Sequence, residues 1–224
     1  MIAQVSWTSF FERLEDSYLC PACAGQLTEI QGETCKICCR PFEKLEPQYV
    51  VGECCYDCVR WEEDPEWRDF LQINHSLYLY NDFLKEMISQ YKFRGDYILA
   101  KVFSPKIKAL LKRTKYDYLV PIPLSSERQF ERGFNQSEAL IQEAGVTPTH
   151  LLKRAHGEKQ SKKTRTERIH IPQVFQLWGQ TDISNKNILL IDDIYTTGST
   201  LRHAAKILMQ AGAVSVSSLT VARG

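Results

Sequence analysis

A chain of 224 residues with a formal net charge of +1 and 43% hydrophobic residues has the length of one large domain, or of a small domain followed by a medium one. No apolar run approaches the roughly 20 residues of a membrane span, and "MIAQVSWTSFFERLEDSYLC" lacks the basic segment that opens a secretory signal. These features exclude a membrane-spanning protein and lead to the expectation of a cytoplasmic one.

All eight cysteines fall between Cys20 and Cys58. Six of them form CxxC pairs: Cys20 and Cys23, Cys35 and Cys38, Cys55 and Cys58. Each pair sets two thiolates close enough to share a tetrahedral ion, and two pairs complete a structural zinc site. A disulfide cluster is the competing reading, disfavoured by a cytoplasmic setting. "CKICCRPFE" and "CYDCVRW" look like the two knuckles of one ribbon, so Cys35, Cys38, Cys55 and Cys58 are the first choice of zinc ligands. "CPAC" lacks an obvious partner pair: it is the remnant of a second ribbon, or it replaces one of the other pairs. Acids dominate from Glu43 to Asp69, and "WEEDPEW" around Pro65 is an acidic turn that ends the module. The expected division is a zinc ribbon over 1–66 and a second domain over 67–224. On that division, metal loss unfolds the first domain and leaves the second largely intact.

The second domain alternates strands with helices. "HSLYLY" reads as a strand. Asn81 or Asp82 caps a helix through "DFLKEMISQYKF", with Phe83, Met87, Ile88 and Tyr91 on one side. "YILAKVFSPKIKALLKRTK" is helical in pattern, with a kink or break at Pro105. "YDYLVPIPL" is a strand ended by its prolines, and "GFNQSEALIQEAG" starts a helix near Asn135. "HLLKR" and "QVFQLW" are short strands. "KNILLIDD" is apolar on both alternating faces, as a fully buried strand must be. "STLRHAAKILMQAGA" carries the apolar stripe Leu201, Ala204, Ala205, Leu208 and Met209, and "VSVSSLTVA" is a final strand. The order predicts an α/β domain with a mostly parallel sheet flanked by helices.

In such a sheet, ligands bind beyond the carboxyl ends of the strands. Asp192 and Asp193 sit at that end of the Ile188–Ile191 strand, and "YTTGST" then leads into a helix. A helix N-terminus offers unpaired N–H groups and partial positive charge. Thr196, Thr197, Ser199 and Thr200 add hydroxyl donors, and Gly198 lets the backbone come close. The loop suits a phosphate, while the carboxylates suit hydroxyls or a hydrated divalent cation. A ribose 5-phosphate offers both sides. A Walker-B strand is the alternative, but it requires a GxxxxGK[ST] loop, and no Gly-Lys dipeptide occurs in the chain. Arg128 and Arg132, after "VPIPLSSER", are placed to donate to phosphate oxygens; a salt-bridged surface turn with Glu127 and Glu131 fits their spacing equally well.

"IDDIYTTGST" resembles the ribose-phosphate signature of type I phosphoribosyltransferases. The resemblance implies that Asp192 and Asp193 contact the ribose hydroxyls of phosphoribosyl pyrophosphate (PRPP), that Thr196, Thr197, Gly198, Ser199 and Thr200 hold its 5-phosphate, and that Mg²⁺ accompanies the pyrophosphate. "YKFRGD", "VPIPLSSERQFERGFNQSEAL", "KQSKKTRTER" and the cysteine-rich start together resemble the ComF family of competence proteins, over most of the chain. That resemblance implies a role in natural transformation, with single-stranded DNA and a ComFA-type helicase as partners. It assigns Arg128, Arg132 and Lys162 to the catalytic set, Lys162 in the position of the catalytic flexible loop. The basic runs Lys101–Lys115 and Lys153–Arg168 are the candidate electrostatic contacts to DNA; in the favoured alternative the loop around Lys162 and Lys163 grips pyrophosphate and leaves the DNA to Lys101–Lys115. An active phosphoribosyltransferase with an unidentified acceptor base, unrelated to DNA uptake, is the alternative function.

Overall fold

The computed structural model describes residues 18–155 and 174–224. Its centre is a four-stranded parallel sheet in the order β3-β8-β7-β4, built from β3 (Asn74–Leu79), β4 (Tyr118–Pro121), β7 (Asn187–Tyr195) and β8 (Ser215–Arg223). The strands β7 and β8 are central and run in register from Asn187 opposite Ser215 to Tyr195 opposite Arg223. Because side chains alternate across a strand, Ile188 and Leu190 enter one core and Leu189 and Ile191 the other. Both faces of a parallel sheet are apolar and both must be covered.

The first face is covered by helices α3 (Asp82–Phe93), α4 (Leu99–Leu111) and α6 (Gln136–Glu143). They bury Leu84, Met87, Ile88, Phe103, Ile107 and Leu140 against it. Helix α3 begins where predicted, with the Leu84 N–H donating to Asn81 Oδ1 at 2.9 Å. Its buried residues include Leu84, and Phe83 is only half-buried. Helix α4 continues through Pro105, so of the kink or break that the sequence predicts, the break does not occur. An interior proline costs about 3 kcal/mol; burial of Ala100, Phe103, Ile107 and Leu111 on the same helix holds the segment helical regardless of local propensity.

The second face carries one long helix, α7 (Ser199–Gln210). The cysteine-rich segment covers the rest together with Leu151, Leu152, Phe175 and Ile183. Cys35, Cys38, Cys55 and Cys58 belong to the same buried cluster as Leu71, Ile188, Leu190, Tyr195, Leu201, Ala205 and Leu208. This segment folds as two short strands, β1 (Val50–Val51) and β2 (Cys54–Cys55), followed by helix α2 (Tyr56–Glu63). Ahead of them, Pro21–Ala24 forms a single turn of helix, α1. Glu29 makes an antiparallel bridge to Tyr78 of the edge strand β3, and the Asn74 N–H donates to the Ile37 carbonyl. The expected boundary near residue 66 falls in the turn after α2, yet the core runs across it without interruption.

Two further elements lie near the carboxyl end of the sheet. Helix α5 (Ser126–Arg132) occupies what the sequence presents as a loop, and β5 (Leu152–Arg154) pairs with β6 (Phe175–Leu177) in an antiparallel ribbon.

The two sides of the second core are joined by Arg202 of α7, which is fully buried. Its guanidinium donates to Glu62 at 2.7 Å and lies 5.2 Å from the Trp61 ring centroid. Arg202→Ala is expected to lower unfolding free energy by about 3 kcal/mol in urea titrations, because it strands Glu62 and opens a void beneath Trp61. A loss within experimental error would show that this contact does not join the two sides.

Candidate functional site

The strand β7 carries Asp192 and Asp193 inside its span and runs on to Tyr195, two residues past the acids at which the sequence ends it. Asp193 is buried, and its Oδ2 lies 2.7 Å from Lys92 Nζ, near the end of α3. Asp192 Oδ1 accepts from the Ser137 hydroxyl of α6 at 3.3 Å and from the Asp193 N–H at 2.9 Å. Burial, then the Asp193 charge, push the Asp192 carboxyl up to about 7, against the pull of the Asp193 N–H, Lys92 and Ser137. An acid with a raised folded-state value is favoured protonated, so ionising it weakens the fold as pH rises from about 4 towards that value. A ligand that brings hydroxyl donors or a cation to the pair relieves this strain.

Cations surround the acids. Arg128 and Arg132 stand one turn apart on α5 and so share a side. Arg132 donates to Gln136 Oε1 at 2.9 Å and lies 5.5 Å from the centroid of the Phe93 ring. Burial holds its guanidinium below the usual arginine range, with the Asp193 charge opposing. Among the described residues no ion pair joins Glu127 or Glu131 to these arginines, so the salt-bridged turn is not what the segment forms. Two cations of this group escape a reading by motif, Lys92 and Arg154. Arg154, the last residue of β5, is shifted down by burial and then by Arg128, while Asp192 pulls it up. It therefore lies within the electrostatic reach of the same acid and the same arginine. Its only mark in the sequence is a basic residue closing a short strand, whereas Lys92 lies inside "YKFRGD". Lys162 lies outside the described residues, as do Lys159, Lys163, Arg165 and Arg168.

After β7 the chain turns through Thr196 and Thr197 to Gly198, and α7 starts at Ser199. Gly198 has φ +80°, and a Cβ placed there would lie 2.2 Å from the Tyr195 hydroxyl oxygen. Only glycine both adopts this conformation freely and fits over the ring. Thr197 Oγ1 accepts from the Ser199 N–H at 3.4 Å, while Thr196 and Thr200 are exposed. The positive end of a helix of 12 residues thus opens at a rim of hydroxyls, an arrangement that suits an anion.

Beneath this loop lie the four cysteines. Cys35, Cys38, Cys55 and Cys58 are buried, with all four Sγ atoms within 4.8 Å of one another, and none is in a disulfide. Cys38 and Cys55 Sγ are 3.6 Å apart, close to the about 3.8 Å edge of a tetrahedron with Zn–S bonds of about 2.3 Å. The set fits one metal ion held by four thiolates. Cys20 and Cys23 belong to the separate turn α1, Cys20 exposed and Cys23 partly so, and are not part of the cluster.

Residues 131–224 match the phosphoribosyl transferase domain family. The chain is 39% identical over 223 residues to competence protein ComFC of Bacillus subtilis (strain 168), covering 98% of this chain and 90% of that one. It is 35% identical to competence protein ComFC of Streptococcus pneumoniae, covering 94% and 90%. DNA utilization protein YhgH of Salmonella typhi is 26% identical over 88% of this chain and 93% of its own.

The carboxyl of Asp192, followed by carbon-detected NMR, is expected to titrate near pH 7 and not near 4. Lys92→Met removes a charge that favours ionisation, so it is expected to move the midpoint higher still. A midpoint near 4 in the unmodified chain would contradict the environment described for the pair.

Proposed function

The chain belongs to the ComFC family of competence proteins, and from that premise we propose that it assists natural transformation from the cytoplasmic side with a PRPP site in its second domain. The observation that carries this reading is the convergence of Asp192 and Asp193, the hydroxyl loop at the start of α7, and the cations Lys92, Arg128, Arg132 and Arg154. No single simple anion calls for both paired carboxylates and a phosphate cradle; a phosphorylated ribose does. In this reading the acids accept hydrogen bonds from the ribose hydroxyls. The backbone around Gly198 and the hydroxyls of Thr196, Thr197, Ser199 and Thr200 take the 5-phosphate. The arginines face the pyrophosphate, with Mg²⁺ arriving on it, and Lys162 joins them from its loop. Arginine and lysine would neutralise a departing pyrophosphate, so the same residues serve the second reading: transfer of the phosphoribosyl group to an acceptor base.

Cys35, Cys38, Cys55 and Cys58 would hold Zn²⁺, whose chemistry here is structural, with all four positions filled by protein. In this proposal residues 1–66 act as the zinc ribbon and 67–224 as the phosphoribosyltransferase-like domain. Single-stranded DNA and a ComFA-type helicase are the proposed partners. Within the basic run of α4, Lys106 pairs with Glu29 at 2.5 Å. Lys108, Lys112, Arg113 and Lys115 are exposed and remain for the DNA. The last three precede β4, at the amino end of the sheet and away from the acid pair.

Titration calorimetry with PRPP and Mg²⁺ is expected to show binding. Asp193→Asn should weaken it about tenfold by removing one charged hydrogen bond, and Gly198→Val should abolish it by clashing with Tyr195. Absence of binding to the intact chain would sink the ligand assignment. In fluorescence anisotropy, single-stranded DNA should bind weakly, irrespective of sequence, with affinity falling steeply as salt rises. Replacing Lys108, Lys112, Arg113 and Lys115 with Ser should reduce that affinity and the salt slope together. Unchanged affinity would remove the basic run Lys101–Lys115 from the interface.

A further inference from the structure

Three successive carbonyls of the phosphate loop are held from below. The Tyr195 carbonyl accepts from Arg223 Nη1 at 3.1 Å and from the Gly224 N–H at 2.9 Å. The Thr196 carbonyl accepts from the same Nη1 at 3.0 Å. The Thr197 carbonyl accepts from the indole N–H of Trp61 at 3.0 Å. In a planar trans peptide the C=O and the following N–H point in opposite directions. Drawing these carbonyls downward therefore turns the N–H groups of Thr196, Thr197 and Gly198 outward, to the side from which an anion would approach.

Both donors belong to the metal-binding side of the core. Arg223 is buried, and its Nη2 donates to Cys38 Sγ at 3.2 Å. One guanidinium thus spans a thiolate of the four-sulfur cluster and two carbonyls of the loop, which its planar fork permits. It also lies 4.8 Å from the centroid of the Tyr195 ring, the surface on which Gly198 rests. Trp61 sits on α2 one turn after Cys58, with Arg202 against its ring. Neither residue reaches the ligand side.

We propose that Arg223 and Trp61 are positioning residues that tie the phosphate loop to the four-cysteine centre, so that metal occupancy sets the loop's anion-binding form. A metal that fixes Cys38 and the start of α2 fixes both donors. The inference builds on the phosphate-loop reading for the nature of the ligand, but the tie itself concerns only the chain. Coupling of this kind is reciprocal: a ligand that favours the tied loop also favours retention of the metal.

The test uses the full chain. Trp61→Phe removes the indole N–H and keeps a smaller aromatic ring against Arg202. Arg223→Lys keeps the charge but cannot span both partners. In each variant, with metal content verified as equal to the parent, hydrogen exchange at the loop's hydrogen-bonded amides, those of Ser199, Arg202 and Gly224, is expected to quicken about tenfold while β4 and the first half of β7 stay unchanged. PRPP–Mg²⁺ should protect the parent's metal from a competing chelator and lose that effect in Trp61→Phe. Unchanged loop exchange in both variants would overturn the proposal. So would exchange that quickens throughout the sheet, because that is the signature of general destabilisation. If the loop loosens in the variants but the parent ignores PRPP, the tie stands and the ligand assignment falls.

Discussion

A parallel sheet has two apolar faces, and neither can be left in water. Here three helices cover one face, while the other carries one long helix, α7, with Leu151, Leu152, Phe175 and Ile183 beside it. The uncovered part of that second face is what the cysteine-rich segment is built around. Leu71, Tyr195, Leu201 and the four clustered thiols meet in one buried cluster. A segment of this size has little core of its own, so it depends on the sheet for apolar contact, and the sheet depends on it for cover. The four sulfurs are the point at which this shared core can be locked by a single ion.

The position of the cluster has a consequence for the site above it. The loop after β7 must present its N–H groups to an anion, which requires its carbonyls to find donors elsewhere. Buried carbonyls without donors would cost about as much as a lost hydrogen bond each. Arg223 and Trp61 meet that need from the metal side, and Gly198 allows the loop to lie flat on Tyr195. On the other side of the strand end, Asp192 and Asp193 are kept close despite like charge, because Lys92 lies against one of them and Ser137 against the other. The same end of the sheet therefore offers an acceptor half and a donor half side by side.

Much of this is legible from local pattern. The double-faced apolar run before Asp192 identifies a central strand, the stripe from Leu201 to Leu208 identifies α7, and CxxC spacing selects the four cysteines that converge. What escapes is non-local. Trp61 and Thr197 are 136 positions apart, and no periodicity links them. Arg154 joins the cations only because the β5–β6 pair brings it there. Pro105 misleads because tertiary burial outweighs its local preference. Helix α5 is missed because one apolar residue, Phe130, among its seven makes no apolar stripe, although Ser125 caps it. Composition places a boundary near residue 66, but it says nothing about whether two cores or one lie behind it.

The central claim is that the metal-binding segment and the sheet fold as one body. Urea unfolding, followed at once by tryptophan fluorescence and by far-ultraviolet circular dichroism, tests it most directly when repeated after chelation. Trp61 and Trp67 report the cysteine-rich side, with a background from the chain's two other tryptophans, Trp7 and Trp178, and the dichroism reports the helices and sheet. One shared core predicts coincident transitions by both probes, moving together to lower urea when the metal is removed. A fluorescence transition that shifts on chelation while the dichroism midpoint stays in place would contradict it, and would mark two bodies that merely touch.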